Sequence, residues 1–477
     1  MTRPGNRSLL IVAIASVLLL MAITAVGISG CNKRAKAPEH LRILFTTDTL
    51  GYFTPCGCAG GPRGGFERRS TAVEQAKADA LGPVILLDTG NFSTGIATNL
   101  ERTKASFVAR AMVQLGYDAA NVGLTDAKMP RLGVLRYQDE YDLPLTSAGF
   151  TYTEETAGER AFSYPSRIVI DRDGFKIGII GHPLDDVDPG TLGIEQNPDV
   201  NAPELLELMQ STFVEDGAQI IILVTDLSRS LEDARLVGRR FELASVVIAG
   251  ASAVPSYTEE KSGADVPHPL VVPRAANWGR SLGVLDLDLS PSGGIVSYRL
   301  HYIDLNDSIE KDTRMADLTE EYLAAVEQQP SGIPEIRHVG YVGSTVCRDC
   351  HAGEYEQWSG TRHAGAWDTL EETGRLGEAT CIPCHVTGFM DLDSVPERMV
   401  PYEYRGVGCE SCHGPGQVHI QYQNWLANGS PGGEFEGGNT TDPIILLAPE
   451  ETCTGCHVAP YDEGWMYQKK VDRIRHE

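Results

Sequence analysis

One five-residue pattern, repeated four times between Cys347 and His457, constrains this chain more than any other feature. The copies are Cys347-Arg-Asp-Cys350-His351, Cys381-Ile-Pro-Cys384-His385, Cys409-Glu-Ser-Cys412-His413 and Cys453-Thr-Gly-Cys456-His457. Two thiols two residues apart can each add to a vinyl group of one porphyrin, and the next residue offers an imidazole to the iron. Disulfides or a zinc site would account for paired cysteines, but not for a histidine directly after every pair. At this chain's residue frequencies, about one sequence in a hundred would hold even a single copy by chance. The pattern predicts four covalently bound haem c groups, with His351, His385, His413 and His457 as proximal ligands.

Of the eleven cysteines, eight lie in these motifs, leaving Cys31, Cys56 and Cys58. Such an allocation suits a protein exported before haem is attached. Arg3 and Arg7 precede an apolar run from Leu9 to Val26, and Ile28-Ser29-Gly30-Cys31 follows. A charged head, an apolar stretch and small residues before a cut site make an export signal. The last four residues resemble the bacterial lipobox, which implies cleavage before Cys31 and a lipid on its sulfur. The alternative is an uncleaved anchor, since about 18 apolar residues could span a bilayer. Both place the rest of the chain on the periplasmic or cell-surface side, tethered to a membrane. The formal net charge of −25 disfavours nucleic acid and favours redox protein partners with basic surfaces.

A chain of 477 residues suggests two or three domains. Residues 1–30 form the signal and 31–40 a polar tether. Between 41 and 305, the apolar runs Leu41–Thr47, Val84–Thr89, Lys176–Gly181, Gln219–Thr225 and Ser245–Gly250 predict buried strands. Arg69–Ala80, Thr103–Leu115, Ala202–Phe213 and Leu231–Leu243 carry helical periodicity, so the domain is of α/β class. Ser281–Leu289 and Ile295–Ile303, joined through Ser292-Gly293-Gly294, predict a closing hairpin. Residues 306–340 form a connection with a charged helix over Met315–Gln328, and 341–477 form a mainly helical or irregular multihaem domain. That last domain has few aliphatic runs, so porphyrin faces must supply its core.

The first domain resembles the metallophosphoesterase domain of the 5′-nucleotidase family. The matching pieces are ILFTTDTLG (43–51), GGFERR (64–69), VILLDTGNFSTG (84–95), GYDAANVGL (116–124), ILVTDLS (222–228), VVIAGASA (246–253) and RAANWGRSLGVLDLDL (274–289). The resemblance implies an α/β sandwich around two metal ions that activate a water. Where the family has Asp-x-His, this chain has Asp48 and Leu50. The bridging aspartate becomes Asn91, and Gly-Asn-His-Glu becomes Gly123-Leu124-Thr125-Asp126. Asp226 stands at a histidine position, and Gly250-Ala251-Ser252-Ala253 replaces Gly-His-x-His. Leucine, alanine and threonine methyls cannot ligate a metal, so phosphoesterase activity is expected to be absent and the site catalytically empty. Nearby, Cys56 and Cys58 form either a local disulfide or reduced pair, or a non-haem metal or redox site.

Residues 341–477 resemble the nitrifier-type tetrahaem cytochrome c family, electron carriers that serve hydroxylamine oxidoreductase. The match rests on CRDCHAGEYEQWSGTRHAGAW (347–367), CIPCHVTGF (381–389), GVGCESCHGPG (406–416) and CTGCH (453–457). It implies His363, His419 and His476 as distal ligands, three haems with two histidines, and one with an open face, attached at Cys381, Cys384 and His385. His338 is a further candidate that could close that face. His363 follows His351 by twelve residues. If a helix joins them, that length advances about 18 Å, so His363 must serve a different haem.

These readings make the chain an electron carrier outside the cytoplasm, its first domain a scaffold or docking module. The alternative is a haem enzyme acting on a small nitrogen or oxygen species at an open iron; a phosphoesterase with an added redox module is disfavoured by its missing ligands.

Overall fold

On the strand His40–Thr46, alternate residues face two different cores. Ile43 and Phe45 point into one apolar cluster and Leu44 into another, all fully buried. The same alternation recurs on Val84–Asp88, where Ile85 and Leu87 oppose Leu86. A sheet apolar on both faces must be covered on both, and this explains the uninterrupted hydrophobic runs of its central strands. The result is a sandwich of two sheets with helices outside each.

The protein is seen here as a computed structural model, which describes residues 35–476 except 57–60, 97, 130–133, 135, 149, 155–159, 184–193, 197–201, 227–242, 251–260, 274–277, 329–339, 377, 379–380, 389–399, 430–434, 436–443, 459–460 and 463–464. The export signal, Cys31, Cys58, His338, Ala251–Ala253 and nearly all of the expected helix Leu231–Leu243 lie outside the described residues.

The first sheet has the spatial order Lys261–Gly263, Ile295–Asp304, Ser281–Leu289, His40–Thr46, Val84–Asp88, Ala119–Asn121, Leu145–Thr146. Its last four strands run parallel, and the hairpin expected at 281–303 pairs antiparallel to His40–Thr46. The second sheet runs Leu270–Pro273, Val246–Gly250, Ile220–Asp226, Phe175–Pro183, Ile168–Arg172. Ile177, Ile179, Ile222, Val224 and Ile248 of the second sheet meet Ile43, Phe45, Ile85, Leu285 and Leu287 of the first. A three-stranded sheet of Arg160–Ser163, Phe150–Glu154 and Ile194–Gln196 completes the set.

One helix begins earlier than its apolar periodicity suggests. Asn99–Leu115 opens where the Thr98 side chain accepts from the Glu101 backbone N–H, and ends at Gly116 with φ 72°. Both are ordinary helix boundaries, a Thr N-cap and a left-handed glycine. The helix Ala316–Gln328, expected within a connection, belongs to the first region's core. Its Leu318, Tyr322 and Val326 recur at helical spacing and are buried. Tyr322 stacks on Phe53 at 4.5 Å between ring centroids, and Phe53 stacks in turn on Phe66 at 5.2 Å.

The described residues of 340–476 form short helices and turns. The helices Ala352–Ser359, Gln417–Ala427, Glu450–Thr454 and Tyr467–Lys470 bury none of their residues. A compact apolar cluster of Trp367, Leu370, Ile382, Val386 and Val400 surrounds the second motif.

The aromatic stack makes Phe53 a sensitive position of the first region's core. Phe53→Ala is expected to cost about 3–5 kcal/mol in denaturant unfolding of the haem-loaded chain, the range for deleting a buried aromatic ring.

Candidate haem centres and the altered first-region site

Three pairs of histidine rings stand opposite one another, each joining a motif histidine to one outside the motifs. His351 lies 6.2 Å from His419, His457 lies 6.0 Å from His363, and His413 lies 6.1 Å from His476, measured between ring centroids. Two imidazoles on opposite faces of one metal, each bonded at about 2 Å with a ring radius near 1.1 Å, stand about 6 Å apart. The observed spacing suits an iron between each pair. All eight motif cysteines are free of disulfides, so the donor set fits thioether-bound haem.

Hydrogen bonds turn these rings. The Nδ1 atoms of His413 and His457 lie 2.6 Å from Ile445 O and Asp462 Oδ2, and Nδ1 of His385 contacts the Ala366 carbonyl. Engaging Nδ1 leaves Nε2 to face a metal and fixes the ring's orientation. Burial, and then the nearby His457, lowers the pKa of His363, favouring the neutral imidazole that a metal takes. The helix Ala352–Ser359 separates His351 from His363, and their rings face different partners. At the chain's end, Gln357 Nε2 donates to Arg475 O at 3.0 Å, and Gln357 Oε1 lies 3.2 Å from His476 Nδ1.

Glu410, between the cysteines of the third motif, was not singled out by the sequence reasoning. It is 3% exposed, and its carboxylate accepts from the backbone N–H groups of Val342, Gly343 and Gly416 at 2.8–3.1 Å. The approach to the first motif is thereby tied to the third. Its only sequence signal is an acidic residue inside a motif whose spacer positions tolerate most side chains.

The second motif lies against the first region. Arg375 Nη1 donates to Pro55 O at 2.7 Å, and its Nε and Nη2 donate to Glu378 at 3.0 and 2.6 Å. Thr54 reaches Glu378 at 3.4 Å, and the Tyr52 and Tyr461 hydroxyls lie 3.5 Å apart. Cys56 is buried in the same loop, whose backbone pairs with Arg63. Gly65 closes the loop at φ 89°, and a Cβ there would come 2.7 Å from the Pro55 ring, so only glycine fits.

At the altered site, the residues standing at ligand positions bond to one another. Asn91 Nδ2 donates to Asp48 Oδ1 at 2.9 Å, while Asn91 Oδ1 accepts from the Thr125 backbone N–H and hydroxyl, both at 2.9 Å. Asp126 accepts from the Asn91, Ser93 and Gly123 N–H groups. A buried cation is supplied by Arg69, which donates to Thr49 and Tyr117. The side chains of Asp226 and Ala251–Ala253 lie outside the described residues. Among the described residues, no cluster of three or more His, Cys, Asp or Glu side chains has metal-holding geometry.

Residues 346–414 match the family model described as Cytochrome c554 and c-prime. Cytochrome c-554 of Nitrosomonas europaea is 28% identical over 148 residues, covering 26% of this chain and 60% of that protein. The first region is similar to a 5'-nucleotidase of Vibrio parahaemolyticus, 23% identical over 337 residues, or 61% of this chain and 57% of that protein. Among solved structures, a 5'-nucleotidase precursor from Thermus thermophilus aligns with 19% identity and a TM-score of 0.49, over 61% of this chain and 60% of its own. The chain spans 53–60% of the length of the curated relatives it matches.

Two expectations follow from this geometry. Glu410→Leu strands several buried backbone N–H groups, at about 1–3 kcal/mol for each left unsatisfied, and should lower the thermal midpoint of the loaded chain. Burial pushes the Asp88 carboxyl up to about 7, against the lowering effects of Thr46, Gly90 and Arg69. An unfolded aspartate titrates near pH 4 (about 3.9), so between there and 7 the native chain holds a proton that the unfolded chain releases. Its stabilisation is complete below pH 4 and lost as pH rises through 7. Asp88→Asn should flatten that part of the thermal midpoint's pH profile.

Proposed function

We propose that this chain, which joins a region of the cytochrome c554 family to a 5'-nucleotidase-like region, is an electron-transfer protein with four covalently bound haem c groups. The observation that carries this reading is the set of three opposed histidine pairs. In this reading His351 with His419, His457 with His363, and His413 with His476 would each hold one haem iron. The fourth is held by Cys381, Cys384 and His385, where the family resemblance implies an open iron face. Each bound haem supplies a one-electron iron couple.

The chain's own residues set where those couples lie. The helix Ala352–Ser359 lies between two histidines that belong to different pairs, so two centres would be joined by one short segment. Gln357, on that helix, fastens the chain end that carries His476, which brings in a third. In this reading the mature protein is a lipoprotein anchored through Cys31 outside the cytoplasm, exchanging electrons with proteins whose basic surfaces complement its acidic charge. The first region serves as scaffold. The mutual bonding of Asp48, Asn91 and Thr125 supports the loss of phosphoesterase chemistry, because those side chains are already satisfied without a metal.

Electron paramagnetic resonance and haem quantification on the full-length holoprotein test this. Intact mass should show four haem additions and loss of residues 1–30. His363→Ala should convert one low-spin haem to high spin and open it to carbon monoxide, leaving all four attachments in place. An unchanged spin-state distribution overturns the ligand assignment, and fewer than four haems on fully loaded protein overturns the count. With manganese, zinc or cobalt supplied, the protein should hydrolyse no nucleotide monophosphate; metal-dependent turnover would overturn the scaffold reading.

A further inference from the structure

A buried group of charges lies where the second motif meets the first region. Glu378 is 4% exposed, and its Oε2 is 3.7 Å from the sulfur of Cys381. Arg375 grips both carboxylate oxygens through Nε and Nη2 and donates from Nη1 to Pro55 O. Behind them, the helix Asn99–Leu115 supplies Lys104, paired with Glu101 at 3.0 Å, both side chains under a tenth exposed. Burial raises the pKa of the Glu378 carboxyl, and Arg375 and Lys104 more than offset this, leaving it below its ordinary value and ionised.

Resting on the proposed haem at Cys381, we infer that Glu378, Arg375 and Lys104 tune the reduction potential of that one centre, so that the first region takes part in setting it. The sulfur of Cys381 is one of the two through which the macrocycle would be attached, so Glu378 would stand beside the macrocycle's edge. In a low-dielectric interior a charge at that range acts with little screening. A negative charge favours the ferric state and lowers the potential, and a positive charge does the reverse. Arg375 and Lys104 oppose Glu378, and Lys104 does so from a helix of the other region. These three act through the haem's surroundings and are positioning residues.

A plain structural staple between the two regions would also bury an ion pair. The two roles differ in sign: removing either half of a staple loosens the junction, whereas removing opposite charges moves a potential in opposite directions. Spectroelectrochemical titration of the full-length holoprotein separates them. Glu378→Gln should raise a single midpoint and make reduction of that haem about tenfold more favourable, or about 59 mV for one electron. Arg375→Gln and Lys104→Gln should lower the same midpoint, while the other three stay in place. Lys104→Gln lies outside the haem motifs and can keep a hydrogen bond to Glu101, so it tests the inference even if the other two variants load haem poorly. Four unmoved midpoints in haem-replete Lys104→Gln, shifts of one sign from Glu378→Gln and Lys104→Gln, or equal shifts of all four overturn it. Wild-type protein lacking haem at the second motif would sink the proposed function itself, an outcome read separately from the haem count.

Discussion

Opposed imidazoles are what the C-terminal region depends on. Its helices Ala352–Ser359 and Gln417–Ala427 bury none of their residues, so side-chain packing alone gives them little reason to stay in place. Each histidine pair joins segments far apart in sequence, and a metal between the rings would cross-link them, limiting the unfolded chain as other long-range clips do. In the proposed function, haem attachment and folding would be coupled for this region. The pairs also share segments: one helix serves His351 and His363, and its Gln357 holds the end bearing His476.

The first region stands on the opposite principle. Both faces of its central strands are apolar, and two sheets with their flanking helices bury them completely. At the ends of those strands, Asn91 links Asp48 to Thr125, and the buried Arg69 donates to Thr49 and Tyr117, so these polar groups find partners within the fold.

Much of this was legible because it is written locally. The central strands announce themselves by unbroken apolar runs, so the five principal strands are in view from the sequence. The strand Ile168–Arg172 was missed, although Asp173-Gly174, both at positive φ, is a hairpin signal. The helix Ala316–Gln328 showed an amphipathic pattern, but a pattern reveals only that one face is buried, not what covers it. The partnership of Arg375 with Pro55 spans 320 residues and leaves no periodic trace at all. Long-range polar contacts of this kind depend on the finished fold, which is why they escaped notice.

That contact changes what the fusion of the two regions means. Two domains on a flexible connection would meet through exposed surface, and charges there would be screened and weak. Here a carboxylate and a guanidinium are both withdrawn from water, and such a pair is tolerated only when geometry keeps its partners matched. The Pro55 carbonyl, fixed in a loop that Gly65 allows to close, supplies one of those partners from the first region. Two residues before Pro55, Phe53 stacks on Tyr322 of the helix Ala316–Gln328. The packing of a region without haem motifs therefore reaches, through one arginine, to the cysteine that anchors the second motif.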